Sequence, residues 1–183
     1  AAYGGLNRID MDRHGYTVKP IVISNQRKRE LNDRLMLFFT GFTRFSADVQ
    51  QKTSQSMPDK IKQLLRMKEM VNEAERILIS KGSLDEFGRL LHESWQLKRG
   101  LSSGISTNAI DAVYQKALQA GALGGKLLGA GGGGFLLFYV EPEKQAGVRK
   151  ALRDLLYVPF LFENSGTTVV HYTAEDYELE ENQ

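Results

Sequence analysis

The sequence has no cysteine, few prolines and no long apolar run. It contains 4 prolines, 3 histidines and 1 tryptophan among 183 residues. Without cysteine the chain has no disulfide, no zinc–thiolate site and no thiol nucleophile, which is compatible with a reducing compartment. No stretch approaches the roughly 20 apolar residues that a membrane-spanning helix needs. We therefore expect a cytoplasmic protein without a membrane partner.

Charge of one sign is not in excess either. Lys and Arg number 24 and Asp and Glu number 22, which gives a formal net charge of +2. No basic block with interleaved aromatic residues occurs, so nucleic acid is not an expected partner. Residues 27–29, Arg-Lys-Arg, predict a solvated helix start or turn. The histidines, His14, His92 and His171, share no metal-ligand spacing, so we assign no metal ligand.

The first 25 residues predict a β-hairpin. Two strand-like segments, 6–11 and 16–23, flank a turn around His14 and Gly15. A sheet of two strands is only marginally stable by itself. We therefore expect this hairpin to complete a sheet whose other strands come from elsewhere.

From Arg34 onward the pattern predicts strand, helices, strand, strand, helix, strand. This is the split β-α-β order of a ferredoxin-like fold with extra helices inserted in the first crossover. We therefore predict an α+β domain over residues 26–173 and an acidic, solvated tail over residues 174–183. The second helix is expected to begin with a capping box of Ser83 and Glu86. The predicted segments are strand 34–39, helices 56–80 and 83–100, a helix ending at Gly121, strands on both sides of residues 129–134, a helix over 141–155, and strands 158–162 and 167–172.

A glycine-rich run joins two apolar segments. Backbone without side chains can approach a ligand closely and direct several N–H groups at one point. The run formally satisfies G-x-G-x-x-G, but a strand-like segment follows it where a dinucleotide fingerprint needs a helix, and the Lys of a P-loop is absent. A plain connection between two buried strands is the alternative interpretation. The run consists of Gly129, Ala130, Gly131, Gly132, Gly133 and Gly134.

Lys98 is the candidate for chemistry on the second predicted helix, because helical spacing places it within the apolar arc. Either its amine reaches solvent from the helix end, or Lys98 faces an anion-binding cavity together with Arg99, Ser102 and Ser103. Arg44 follows a predicted strand, a position from which ligand-contacting residues often project. We find no nucleophile–base pair and assign no catalytic residue.

These segments together resemble a known family. Residues 121–138, which read Gly-Ala-Leu-Gly-Gly-Lys-Leu-Leu-Gly-Ala-Gly-Gly-Gly-Gly-Phe-Leu-Leu-Phe, resemble the third motif of the GHMP kinases. That family is named for galactokinase, homoserine kinase, mevalonate kinase and phosphomevalonate kinase. Segments 37–44 and 92–106 are similar, more narrowly, to the bacterial D-glycero-D-manno-heptose 7-phosphate kinases. The likeness spans nearly the whole chain.

The resemblance implies phosphorylation of the anomeric hydroxyl of a sugar phosphate, with ATP and Mg²⁺, as a step toward nucleotide-activated heptose. Residues 129–134 would then flank the substrate and the γ-phosphate. Lys98, Arg44 and Arg99, with Ser102 and Ser103 beside them, would bind the distal phosphate of the sugar. The implied partners are ATP and the sugar phosphate, and homo-oligomerisation is left open.

The chain also departs from the family pattern. The second motif, a Gly-Ser-rich loop that holds the nucleotide phosphates, is absent, and so is the aspartate proposed as base. The resemblance implies that this base lies upstream of Ala1 and that residues 1–25 are strands of a mostly missing N-terminal kinase domain. We therefore expect the chain alone to be inactive.

Two alternatives stay open at this stage. The first is another GHMP kinase, of the fucose, galactose or mevalonate type. The second is a non-catalytic ferredoxin-like module that binds a small ligand, and it predicts a self-contained sheet.

Overall fold

The computed structural model describes residues 2–41 and 57–171, and the chain divides into two compact units. The smaller unit combines Ala1–Ile21 with Phe162–Gln183, and the larger unit is Val22–Leu161. Within the described ranges, no helix combines the length and the apolar character needed to cross a bilayer.

The smaller unit contains the predicted hairpin. Strands β1 (Asn7–Asp12) and β2 (Gly15–Pro20) pair antiparallel in continuous register, which confirms the prediction from the sequence. The first residues of this unit also bond to its C-terminal segment. The N–H of Gly5 donates to the carbonyl of Glu163 at 2.7 Å, and the N–H of Thr167 donates to the carbonyl of Ala2 at 3.0 Å.

The larger unit holds a four-stranded antiparallel sheet with the strand order β4-β5-β3-β6. The central strand β3 follows the first helix, and the pair β4 and β5 flanks the glycine-rich run, as predicted. The mixed helix-and-sheet fold is thereby confirmed, whereas the ferredoxin-like class stays a prediction that this strand order supports. The strands are β3 (Leu35–Phe39), β4 (Ala122–Leu127), β5 (Phe135–Val140) and β6 (Leu156–Val158).

Five α-helices lie in the described part of the larger unit. A 3₁₀ turn, Met57–Lys60, precedes the second of them, and another, Pro142–Lys144, precedes the fifth. The helices are α1 (Asn25–Asn32), α2 (Ile61–Ile79), α3 (Asp85–Arg99), α4 (Asn108–Gln119) and α5 (Gln145–Ala151).

The hydrophobic core lies within the larger unit. Helix α3 packs closely on β4 because glycines face each other there: a Cβ added to Gly124 would lie 2.0 Å from the carbonyl oxygen of Gly88. Trp95, the single tryptophan of the chain, is fully buried. The core cluster comprises Met36, Phe38, Trp95, Leu101, Ile105, Ile110, Tyr114, Ala117, Ala122, Leu127, Leu136, Phe138, Val140, Val148 and Leu152.

Two strand predictions near the end of the chain need correction, because the first is displaced toward the C-terminus and the second has no counterpart among the described residues. Strand β6 ends at Val158, and the described residues 159–171 contain no strand. Pro159 has no N–H to donate to a ladder, so pairing stops there. Val169 and Val170, the apolar part of the second predicted strand, are 81% and 95% exposed. Residue 172, the last of that segment, lies outside the described residues.

Two local predictions at helix starts also need correction. The hydroxyl of Ser83 accepts the N–H of Asp85 at 3.1 Å, so the predicted capping box does not form, and α3 begins at Asp85. Arg27 is not solvated, since its guanidinium donates to the carbonyls of Ile77 at 2.9 Å and Leu78 at 3.4 Å in the last turn of α2. It therefore binds carbonyl groups that the end of a helix leaves unpaired.

Candidate functional site

The connection between β4 and β5, residues 128–134, forms the candidate site and is called the glycine loop below. The N–H of Leu128 donates to the carbonyl of Phe135 at 2.8 Å and closes the loop at its base. Side chains strongly disfavour a positive φ, so this backbone path requires glycine. The glycines with positive φ are Gly129 (79°), Gly131 (122°), Gly132 (77°) and Gly134 (101°).

Two neighbouring segments hold the glycine loop in place. The N–H of Gly132 donates to the carbonyl of Ile105 at 3.0 Å, and a Cβ on Gly131 would lie 2.8 Å from the Cα of Ile105. On the other side, both the N–H and the hydroxyl of Thr40 donate to the carbonyl of Gly134, at 2.9 and 2.8 Å. The loop is therefore fixed between the end of β3 and the α3–α4 connection.

Most amides of the glycine loop are left without an acceptor. Within residues 2–41 and 57–171, five of its N–H groups donate to no protein atom. Backbone N–H groups arranged in a concave turn bind anions, and they carry no side chain that could obstruct a phosphate. The five groups belong to Gly129, Ala130, Gly131, Gly133 and Gly134.

Lys98 lies at the C-terminal end of α3 and contacts the glycine loop directly. Its ammonium donates to the carbonyl of Gly129 at 2.6 Å and, more weakly, to the carbonyl of Leu127 at 3.5 Å. Burial, with a smaller contribution from the charge of Lys126, lowers the pKa of Lys98 to about 8. The amine therefore bonds to the backbone of the loop. Since an ammonium has three N–H donors, one remains for a ligand.

Arg99 has a carboxylate partner at the start of α4. Its guanidinium contacts a carboxylate oxygen of Asp111 at 3.1 Å, and the hydroxyl of Ser106 donates to the other oxygen at 2.7 Å. This pair fixes the α3–α4 connection beside the glycine loop. Ser102 is half-buried and Ser103 is exposed in the same connection. Their role in binding a phosphate, like that of Arg99, stays a prediction.

Arg44, His92 and the implied Mg²⁺ ion remain to be placed. Arg44 lies outside the described residues. His92 has a structural contact, since its Nδ1 lies 2.9 Å from the hydroxyl of Tyr114. Among the residues that the structure describes, no group of three or more His, Asp or Glu side chains could hold a metal ion. The Mg²⁺ implied by the resemblance stays a prediction, since this ion is commonly bound through one or two carboxylates together with substrate phosphates.

Sequence reasoning overlooked Lys126 and Thr40, both of which adjoin the glycine loop. Lys126 lies on β4 and is half-buried, and burial lowers its pKa. The alternation of side chains along β4 could have identified Lys126. Leu127 is a core residue, so its neighbour Lys126 must point to the opposite face of the sheet. Thr40 had no signal, since its two bonds to Gly134 join residues that are 94 positions apart.

The sequence of the larger unit matches a known protein family. Residues 70–158 match the family described as GHMP kinases C terminal. The matched range begins within α2 and ends with β6, so it includes the glycine loop, Lys98 and Lys126.

Characterised relatives are kinases of this family. The chain is 31% identical over 156 residues to D-glycero-alpha-D-manno-heptose 7-phosphate kinase of Campylobacter jejuni, covering 84% of the chain and 46% of the relative. It is 34% identical over 131 residues to mevalonate kinase of Thermococcus gammatolerans, covering 69% of the chain and 38% of the relative.

Solved structures show the same similarity. A D-glycero-D-manno-heptose 1-phosphate kinase from Bacteroides thetaiotaomicron superposes with a TM-score of 0.64 at 27% identity, covering 91% of this chain and 45% of that one. The chain thus spans less than half the length of each of these three proteins.

Proposed function

We propose that the chain is the C-terminal part of an ATP-dependent sugar kinase, because residues 70–158 match the family described as GHMP kinases C terminal. The acceptor is the anomeric hydroxyl of a heptose 7-phosphate, and the product serves the synthesis of nucleotide-activated heptose in the cytoplasm. The anomeric oxygen forms a bond to the γ-phosphorus of ATP, the bond from that phosphorus to the β-phosphate oxygen breaks, and the hydroxyl proton passes to a base. We assign this base to no described residue.

The observation that carries the proposal is the glycine loop with its five unbonded amides. In phosphoryl transfer, negative charge spreads over the oxygens of the transferring group, so catalysis depends on fixed donors that meet this charge. Thr40 holds the loop at the carbonyl of Gly134 and Ile105 holds it at the N–H of Gly132, so the five unbonded amides need no rearrangement to serve as such donors. The similarity to the Campylobacter heptose 7-phosphate kinase supports the choice of acceptor.

Lys98 is proposed to bind the distal phosphate of the sugar with its remaining N–H, while its other donors hold the loop. Arg44, Arg99, Ser102 and Ser103 are proposed to line the same phosphate. Mg²⁺ would accompany ATP and screen its β- and γ-phosphates.

The test of this function is substrate-dependent ADP release by the full-length protein. We expect turnover with D-glycero-D-manno-heptose 7-phosphate and little with the same heptose lacking its phosphate. Lys98→Met should raise the KM for the sugar phosphate by about tenfold, the effect of losing one charge-assisted hydrogen bond, with less effect on the KM for ATP. Lys116→Met, at an exposed position on α4, controls for the loss of one positive charge. An equal rise in the KM for the sugar phosphate and in the KM for ATP would indicate misfolding of the Lys98 variant.

The 183-residue chain by itself is proposed to lack this activity, because the resemblance places the nucleotide loop and the base in segments that it does not contain. ADP release by the purified chain, with ATP and the sugar phosphate supplied, would contradict this proposal.

Two observations favour alternatives. The similarity to mevalonate kinase favours a different acceptor within the family, and mevalonate, L-fucose and D-galactose as substrates test this directly. Among the described residues, no other strand joins the four-stranded sheet of the larger unit, which a ligand-binding module also predicts. Ligand binding by the full-length protein without ADP release would favour the module.

A further inference from the structure

Lys126 is a half-buried lysine on β4 that no assignment above uses. Within the described part of the chain its ammonium has neither a hydrogen bond nor an ion pair. Most partly buried charges are paired, since an unpaired charge away from water is unfavourable. An ammonium kept half-buried without a partner suggests that its partner is a ligand.

The pleat of β4 directs Lys126 toward helix α3. Side chains alternate along a strand, so Lys126 shares a face with Gly124, and the two flank Gly125 on the other face. A Cβ on Gly124 would lie 2.8 Å from the backbone nitrogen of His92 in α3. Lys126 therefore extends from the face that packs on α3, the helix whose last turn carries Lys98.

The two lysines belong to one local environment. The Lys98 ammonium bonds to the carbonyl of Leu127, the neighbour of Lys126 in β4. The charge of Lys126 also contributes to the lowered pKa of Lys98, and burial lowers the pKa of Lys126. Neither ammonium contacts a carboxylate among the described residues. Two mutually repelling cations beside the unbonded amides of the glycine loop favour an anion of high charge.

We propose that Lys126 is a phosphate-binding residue and that it forms, with Lys98, a two-lysine site for a phosphate monoester beside the glycine loop. A phosphate dianion fits because it compensates both charges and offers several oxygens to ammonium and amide donors. The ligand is either the phosphate of the sugar or a terminal phosphate of the nucleotide. The identity of the ligand rests on the proposed kinase function, whereas the phosphate site itself does not.

The first experiment measures binding of inorganic phosphate to the 183-residue chain by calorimetry or NMR near pH 7, at constant ionic strength. We expect Lys126→Met to weaken binding by about tenfold, as for the loss of one charge-assisted hydrogen bond. Lys126→Arg, which keeps the charge, should bind within about threefold of the original chain. Lys116→Met, which removes an exposed charge, should leave binding unchanged. Phosphate binding by Lys126→Met that equals the original, or an equal loss in Lys116→Met, would overturn the proposal.

Stability separates a binding role from a structural one. Without ligand, Lys126→Met should unfold at the same or a higher urea concentration than the original chain, because the substitution removes an unpaired, half-buried charge. Added phosphate should then raise the midpoint of the original chain more than that of the variant. A lysine that held the fold together would give the opposite result, a lower midpoint without ligand, and this would also overturn the proposal.

Competition identifies the source of the phosphate. If the site takes the phosphate of the sugar, Lys126→Met weakens binding of heptose 7-phosphate and leaves the unphosphorylated heptose unaffected. If the site takes a terminal phosphate of the nucleotide, Lys126→Met weakens the binding of ADP instead. Both results support the site. The full-length protein could also bind phosphate through Lys126 and yet release no ADP with any substrate. That result would contradict the proposed kinase function and would still support the phosphate site.

Discussion

At the scale of single residues, Lys98 shows how one side chain can connect a helix to a loop. A lysine within the apolar arc of α3 either reaches water or finds acceptors inside, and here the carbonyl of Gly129 lies 2.6 Å away. Neutral carbonyls do not fully replace water around a charge, and Lys126 is a second cation in the same environment. Both effects lower the pKa of Lys98, to about 8, with burial the larger.

This shift predicts how stability depends on pH. The ordinary pKa of lysine is 10.5, so above about pH 8 the unfolded chain binds the Lys98 proton more tightly than the folded chain does. The free energy of unfolding of the original chain, minus that of Lys98→Met, should therefore increase from about pH 8 to about pH 10.5 and stay level at lower pH. Urea unfolding at several pH values measures this difference, with Lys116→Met as the matched variant. A difference that falls with rising pH would contradict the assigned environment.

At the scale of elements, the contact between α3 and β4 positions the site. Gly88 and Gly124 allow the helix to approach the edge strand, which brings the end of α3 to the glycine loop.

We predict that Gly124→Ala is strongly destabilising. The new Cβ would lie 2.0 Å from the carbonyl oxygen of Gly88, so helix and strand must separate. Overpacking of this kind costs about 3 kcal/mol, which urea unfolding can measure. Gly82→Ala is the matched control, since its Cβ would meet only the hydroxyl of Ser80, at 3.5 Å, and we expect a change within about 0.5 kcal/mol. Equal stability of the two variants would show that α3 does not approach β4 so closely.

The elements also show what a sequence can predict here. Helices α2 to α4 have strong apolar periodicity and β3 is a short apolar run, so the sequence predicted them nearly to their ends, whereas β4 and β5 were predicted only by their position on both sides of the glycine-rich run. The segments after β6 were misassigned because apolar composition alone does not supply a pairing partner, and Pro159 interrupts the ladder. Lys98 was identified from helical spacing, but its acceptor, Gly129, is 31 positions away in the chain. Such contacts depend on tertiary packing, which local patterns do not encode.

At the scale of the whole molecule, the two units differ in how they exclude water. Every residue of the core cluster lies within Val22–Leu161. The hairpin of the smaller unit leaves large apolar side chains exposed, Met11 at 77% and Tyr16 at 63%. Hydrophobic burial supplies most of the favourable free energy of folding, so the larger unit should account for most of the stability.

We therefore predict that a chain trimmed to residues 22–161 folds independently. It should show a cooperative urea transition with a free energy of unfolding within about 2 kcal/mol of the full chain. A second chain that also lacks β3, residues 41–161, is the control. It loses the core residues Met36 and Phe38 and the strand that joins β5 to β6, so it should show no cooperative transition. A broad, non-cooperative transition for residues 22–161 would mean that the smaller unit is required for the core to form, although it contributes no residue to it.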